Sequence, residues 1–217
     1  MKTTFRGRRQ LACLGKIFAS NIFRPRQPLR ISYAVTYRCN LRCAMCNIWK
    51  KDEGLLAREL SVAQAAEFFG KAGRPCWLGV TGGEPFLRED LPELVEAALR
   101  SCQTLGAVHF ATNGTLPARA LRTLEYLHGR FPRQGCVVTV SVDGPPELHD
   151  SIRGVPGTWS KALETFLAVR ALPFVKAQIG FTISHRNLGA FASAFAALKR
   201  AAPGLTFDDI NVNVFQR

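Results

Sequence analysis

The chain has 217 residues, 47% hydrophobic and 21% charged, with a formal net charge of +13. That length holds one sizeable domain, and the apolar content excludes a disordered chain. No apolar run approaches the roughly 18 residues of a membrane-spanning helix, and the short run from Leu11 to Leu14 is broken by Lys16, which excludes a secretory signal.

Residues 1–30 form a basic arm. They carry Lys2, Arg6, Arg8, Arg9, Lys16, Arg24, Arg26 and Arg30 and no acidic residue, which leaves 21 basic against 16 acidic groups in the remainder. Leu11, Leu14, Phe18 and Ile22 follow helical spacing, so a short amphipathic helix is expected there. It suits peripheral contact with a membrane surface or a polyanion; the simpler alternative packs it on its own domain.

Beyond Arg30 strand-like and helix-like runs alternate. Strands are expected at Ile31 to Tyr37, Cys76 to Thr81, Ala107 to Thr112, Cys136 to Val142, Val175 to Ile183 and Leu205 to Val214, all rich in Val, Ile, Phe and Thr. Helices are expected at Ser61 to Gly70, Leu91 to Ser101, Ala118 to His128, Trp159 to Ala171 and Leu188 to Ala201. Ser61 and Pro117 are good helix starts. Such alternation implies a parallel sheet with right-handed crossovers, either an open doubly wound sheet or a partial barrel. The sequence stops at Phe215-Gln216-Arg217 with no helix after the sixth strand, so a missing part or a truncated product is expected. Residues 31–217 form the core domain on this reading.

The odd chemistry falls just after the strands. Cys39, Gly82 to Glu84, Asn113 and Asp143 each follow one, and in parallel α/β folds the strand C-terminal ends face the active site. The segment Cys39-Asn40-Leu41-Arg42-Cys43-Ala44-Met45-Cys46 has the spacing C-x3-C-x2-C. Three thiolates that close can hold one face of an iron–sulfur cluster, leaving a metal position open for chemistry. Zinc remains an alternative, although no fourth ligand lies nearby in sequence, as does a redox pair at Cys43 and Cys46. The other four cysteines are scattered, which argues for a reduced, cytoplasmic compartment; Cys76 and Cys136 read as small buried hydrophobes.

C-x3-C-x2-C after the first strand of a (β/α) domain resembles the signature of the radical S-adenosylmethionine (SAM) superfamily. Thr81-Gly82-Gly83-Glu84-Pro85 resembles its GGEP motif. Ser141-Val142-Asp143-Gly144 with His149-Asp150 and Arg153-Gly154 resembles a stretch of its peptide-maturase and sulfatase-maturase branch. The resemblance covers residues 31–217 and implies a partial (β/α)6 TIM-like barrel lacking its last helix. It implies a [4Fe–4S] cluster on Cys39, Cys43 and Cys46, with SAM on the open iron. It also implies reduction by a flavodoxin or ferredoxin, and a 5′-deoxyadenosyl radical that takes hydrogen from a peptide or small-molecule substrate.

The resemblance carries roles to single residues. Gly83 and Glu84 would bind the SAM amino group, and Ser141 its carboxylate. Asn113 would lie near the mouth. Asp143 would meet ribose or substrate, or cap its turn. Arg153 would pair with a carboxylate, or with Asp143 or Asp150 to fix the loop. Met45 stands where relatives often have an aromatic residue near the adenine, and its polarizable sulfur can serve a ring face. His185 is expected at the mouth, while His109, His128, Trp49 and Trp77 read as structural. Two other functions stay open: a cluster-binding protein without turnover, and a zinc-binding interaction module docked through the arm.

Overall fold

A computed structural model describes residues 8–20, 22, 23, 27–51, 54 and 58–214. After an N-terminal helix, α1 (Arg8–Ser20), strands and helices alternate: β1 (Arg30–Thr36), α2 (Val62–Lys71), β2 (Trp77–Gly82), α3 (Leu91–Ser101), β3 (Ala107–Thr112), α4 (Pro117–Arg130) and β4 (Gly135–Ser141). Two helices follow β4, α5 (Pro146–Arg153) and α6 (Thr158–Ala171), then β5 (Val175–Ile183), α7 (Phe191–Ala201) and β6 (Ile210–Val214). The strands form one parallel sheet in chain order, with β1 and β6 at its edges. It is an open, partial barrel, and the doubly wound alternative is set aside.

Sequence dictates the sidedness. Leu78, Val80, Val108, Phe110, Val138, Val140 and Ile179 alternate along the strands and pack under the helices. In α3 the matching stripe is Leu91, Leu94, Val95, Ala98 and Leu99, all buried, at the spacing of one helical face. Ser61 and Gln64 form a capping box at the start of α2, as the serine led one to expect. The intervening strand positions face the lumen: Thr81, His109, Thr139, Ser141 and Gln178 lie between the core positions on their strands.

Three boundaries differ from expectation. The stretch after Asp143 contains α5, which Gly154 ends with a left-handed φ of 73°. That glycine also lets the chain pass Arg42, whose carbonyl a Cβ would meet at 2.7 Å. β6 starts at Ile210, because a capped 3-10 turn at Phe207–Asp209 takes the first residues of the expected strand. α7 starts at Phe191, because the Asn187 side chain accepts from the Ser184 amide and donates to the Asp143 and Thr182 carbonyls.

The expected amphipathic helix exists as α1. It lies against the N-terminal ends of β2 and β3: the Cys13 thiol donates to the Cys76 carbonyl at 3.3 Å, and a Cβ at Gly106 would sit 2.8 Å from the Arg9 carbonyl. So it does pack on its own domain, through the buried Cys13, while Leu11, Phe18 and Ile22 stay 60–71% exposed. Lys2, Arg6, Arg24 and Arg26 of the arm lie outside the described residues, as do Phe215, Gln216 and Arg217.

Candidate active site

The cysteine loop follows β1 and has no regular structure of its own until a 3-10 turn at Ile48–Lys50. It is pinned instead by the end of α5. The Arg42 amide donates to the Arg153 carbonyl at 3.1 Å and the Ala44 amide to the Ile152 carbonyl at 2.8 Å. Within the loop, the Cys46 amide donates to the Cys43 carbonyl, which also accepts from the Trp49 indole. Cys39, Cys43 and Cys46 are all free thiols; Cys43 is buried and the other two are half-buried.

Beneath Cys43 lies the Arg153 guanidinium, 3.8 Å from its sulfur and 2.6 Å from the Asp143 carboxylate. Asp143 is wholly buried, and its other oxygen accepts from the Thr182 amide. The Asp143 amide donates to His149 Nδ1 at 3.1 Å, which leaves the ring proton on Nε2. His149 is held neutral: burial, helped by Arg153, lowers its pKa to about 3. Burial pushes the free thiols of Cys39 and Cys43 up, and at Cys43 the Arg153 charge opposes that rise. A metal deprotonates its thiol ligands, so a cation beside Cys43 favours the form that binds.

A second knot ties the other loops to this one. Glu84 is fully buried and accepts from the Thr112 hydroxyl at 2.8 Å, the Asn113 amide at 2.7 Å and the Phe86 amide at 3.3 Å. Asn113 then donates to Asn40 at 2.9 Å, and Asn40 donates to Thr115. The Gly83 amide donates to the Thr36 carbonyl and the Glu84 amide to the Arg38 carbonyl, so the glycine turn lies flat on the chain entering Cys39. A Cβ on Gly82 or Gly83 would strike the Thr36 or Arg38 carbonyl, which fixes glycine at both positions.

Contacts join Cys43, Arg153 and Asp143 in one group and Glu84 and Asn113 in another, and the expected residues differ in access. Gly83, Met45 and Ser141 are half-buried, and Ser141 ends β4 on the lumen side. Glu84, Asp143 and Arg153 direct their charged atoms into the protein. The Asp143 partner of Arg153 was one of the two foreseen; Asp150 instead accepts from the Thr158 hydroxyl and the Trp159 amide and caps α6. His185 is exposed after β5. Asn40, Thr112, Thr115, His149 and Asn187 were missed as supports, though Asn40 sits inside the cysteine motif and His149 inside the stretch after β4. His128 stacks on Phe174 as a structural residue, whereas Trp77 and His109 line a cavity.

Among the described residues no three His, Cys, Asp or Glu side chains gather as ligands of one metal ion. Thiolates that each take a different iron of one cluster stand further apart than ligands of a single ion. Three free cysteines on a pinned loop fit such a cluster by donor chemistry.

Residues 33–184 match the family model of the radical SAM superfamily. The chain belongs to the radical SAM superfamily. Membership implies SAM and an iron–sulfur cluster as cofactors. The chain is 32% identical over 177 residues to the mycofactocin maturase MftC of Mycobacterium ulcerans, covering 79% of this chain and 44% of that protein. It is 32% identical over 180 residues to an AdoMet-dependent heme synthase of Methanosarcina barkeri, covering 79% and 47%. It thus spans less than half of either radical SAM relative. Among solved structures, anSMEcpe with bound AdoMet superposes with a TM-score of 0.63 at 19% identity, over 85% of this chain and 50% of that one. Streptococcus suis SuiB bound to its precursor peptide SuiA superposes with a TM-score of 0.61 at 14% identity, over 95% and 43%. Those likenesses show the same partial-barrel fold.

Removing Arg153 leaves Asp143 charged and unpaired in the interior. Arg153→Met should lower the unfolding free energy by about 3–5 kcal/mol in denaturant titrations, and Asp143→Asn on top of it should recover part of the loss. A double variant as unstable as the single one would mean that the ion pair is not the cause.

Burial raises the Glu84 carboxyl from 4.5 to about 7, against its three hydrogen bonds. The folded chain then holds a proton that the unfolded chain has released between those values. This group's stabilisation is full below pH 4.5 and is lost as pH rises through about 7. Urea unfolding of the metal-free protein at about pH 5 and about pH 8 should show that loss, and Glu84→Gln should flatten it.

Proposed function

We propose that the chain is the catalytic core of an enzyme that holds a [4Fe–4S] cluster on Cys39, Cys43 and Cys46 and uses it to cleave SAM reductively. The observation that carries this reading is the pinned loop of three free cysteines, with Arg153 beneath Cys43, at the C-terminal mouth of a parallel partial barrel. A cluster held by Cys39, Cys43 and Cys46 would supply one electron, drawn from a reduced flavodoxin or ferredoxin, for cleavage of SAM into methionine and a 5′-deoxyadenosyl radical, which would take a hydrogen atom from substrate.

The chain's own residues hold and orient. Three thiolates leave one iron of the cluster free for SAM. The backbone of Gly82 and Gly83 gives close approach to the SAM amino group, and Ser141 offers a hydroxyl to its carboxylate. Met45 and Asn113 border the same mouth. With Gly83, Glu84 would serve the SAM amino group, and it also positions the site by fixing Asn113 and the glycine turn. The maturase relative and the peptide-bound SuiB favour a peptide substrate; the heme synthase keeps a small molecule open.

Anaerobic reconstitution with iron and sulfide, reduction and incubation with SAM should yield 5′-deoxyadenosine. Cys39→Ala, Cys43→Ala and Cys46→Ala should each lower the yield at least about a hundredfold, the scale on which loss of an essential group acts. A bound cluster with no product would favour the non-catalytic reading, and zinc without iron the interaction-module reading.

The outer face of α1 and the turn that follows it also suit an anionic membrane surface. Leu11, Phe18, Ile22 and Phe23 are at least 60% exposed, and residues 1–30 hold eight basic and no acidic groups. The protein should sediment with phosphatidylglycerol vesicles at low salt and release at high salt. Sedimentation unchanged by salt, or none, would remove that contact from the proposal.

A further inference from the structure

Far from the cysteines, at the opposite end of the lumen, lies a cavity of about 300 Å³. Its floor is α1, through Cys13, Leu14 and Ile17, and its walls come from the first residues of the strands: Arg30, Trp77, His109 and Lys176. Gln178 and Asn211 add two amides. Among the described residues lining it there is no carboxylate, and none lies within ion-pair distance of Arg30 or Lys176. The Arg30 guanidinium stands 6.0 Å from the Trp77 ring centroid. His109 bonds Thr139 at 2.8 Å, and burial, with Arg30, lowers its pKa to about 4, so it is neutral and adds no charge. The Trp77 indole N–H has no hydrogen-bond partner among the described residues.

Two cations without a carboxylate, together with two amides, form a site for an anion. The lumen between this site and the mouth is lined by small residues. On the inner face above the cavity stand Ser32 and Ala34 of β1, Gly79 and Thr81 of β2, Ala111 of β3 and Gly180 of β5. A Cβ at Gly79 would touch the Ser32 hydroxyl at 3.4 Å, which places both on the lumen side. Strand rise sets the length of this passage: Arg30 lies level with Trp77, and Lys176, through Val137 and His109, with Gly79, so the four to six residues up to Gly83 span about 13–20 Å.

We infer that the base of the barrel is an anion subsite, in which Arg30 and Lys176 receive a carboxylate or phosphate group of a substrate that lies along the lumen. The substrate then carries its negative group about 13–20 Å from the carbon presented at the mouth, four to six residues away. The distance to a reacting carbon rests on the reading of the mouth as the SAM site; the anion subsite itself does not.

The test reads binding and not turnover. Trifluoroacetate and monofluorophosphate, with trifluoroethanol as a neutral probe, are titrated by fluorine NMR into the anaerobically reconstituted protein with saturating SAM occupying the mouth. At least one anion should bind, and the one that does names the class. Trifluoroethanol should not. Arg30→Gln with Lys176→Gln should weaken that anion about tenfold or more, the scale of a charge-assisted contact. Lys161→Gln with Lys199→Gln, which removes the same charge from exposed helix positions, should not. Arg30→Lys with Lys176→Arg, which keeps both charges, should retain binding and so separates loss of charge from loss of fold. No anion binding, equal binding of trifluoroethanol, or equal loss in the Lys161 and Lys199 variant would overturn the subsite, and none of these touches SAM cleavage.

Discussion

The buried ion pair between Arg153 and Asp143 is the contact on which the mouth depends. The cysteine loop has no regular structure of its own before Ile48, so something else has to fix it. The end of α5 does this twice over. Its last carbonyls take the Arg42 and Ala44 amides, and its last side chain reaches Cys43. Arg153 is placed in turn by Asp143, which the turn after β4 buries completely. A charge pair in the interior is costly to form and costlier to break, so its value here lies in position: it fixes one geometry for the loop above it.

Glu84 does comparable work on the other side. One buried carboxyl bonds the loops after β2 and β3, and through Asn113 and Asn40 the tie reaches the cysteine loop. The mouth is thus a set of loops cross-linked by hydrogen bonds between side chains and backbone, carried on a sheet whose outer face is a continuous apolar core. Below it the lumen stays open and polar because its positions are small residues, amides and two cations, with α1 laid across the base.

Much of this was legible in the sequence, for physical reasons that differ by residue. Strands such as Ala107 to Thr112 announce themselves by composition, and helix faces such as that of α3 by spacing. The three cysteines could be read because so few chemistries use thiols at that separation. What could not be read was which polar groups turn inward. Glu84, Asp143 and Arg153 look alike in sequence whether exposed or buried; the structure buries all three and pairs Arg153 with Asp143. Helix α5 was hidden because Gly144, Pro145 and Pro146 read as loop, although Pro146 at its first turn and Gly154 at its end are ordinary helix limits. The cavity at the base escaped because its residues come from α1 and the early parts of six strands, and only the register brings Arg30, His109 and Lys176 together.

The central claim is that three thiolates on this loop hold a cluster with one iron left to SAM. Electron paramagnetic resonance of the reduced, reconstituted protein tests it most directly. The account predicts the signal of a reduced [4Fe–4S] cluster whose shape changes when SAM is added, because SAM enters the coordination of one iron. A cluster signal that SAM leaves unchanged, or no cluster signal at all, would contradict it.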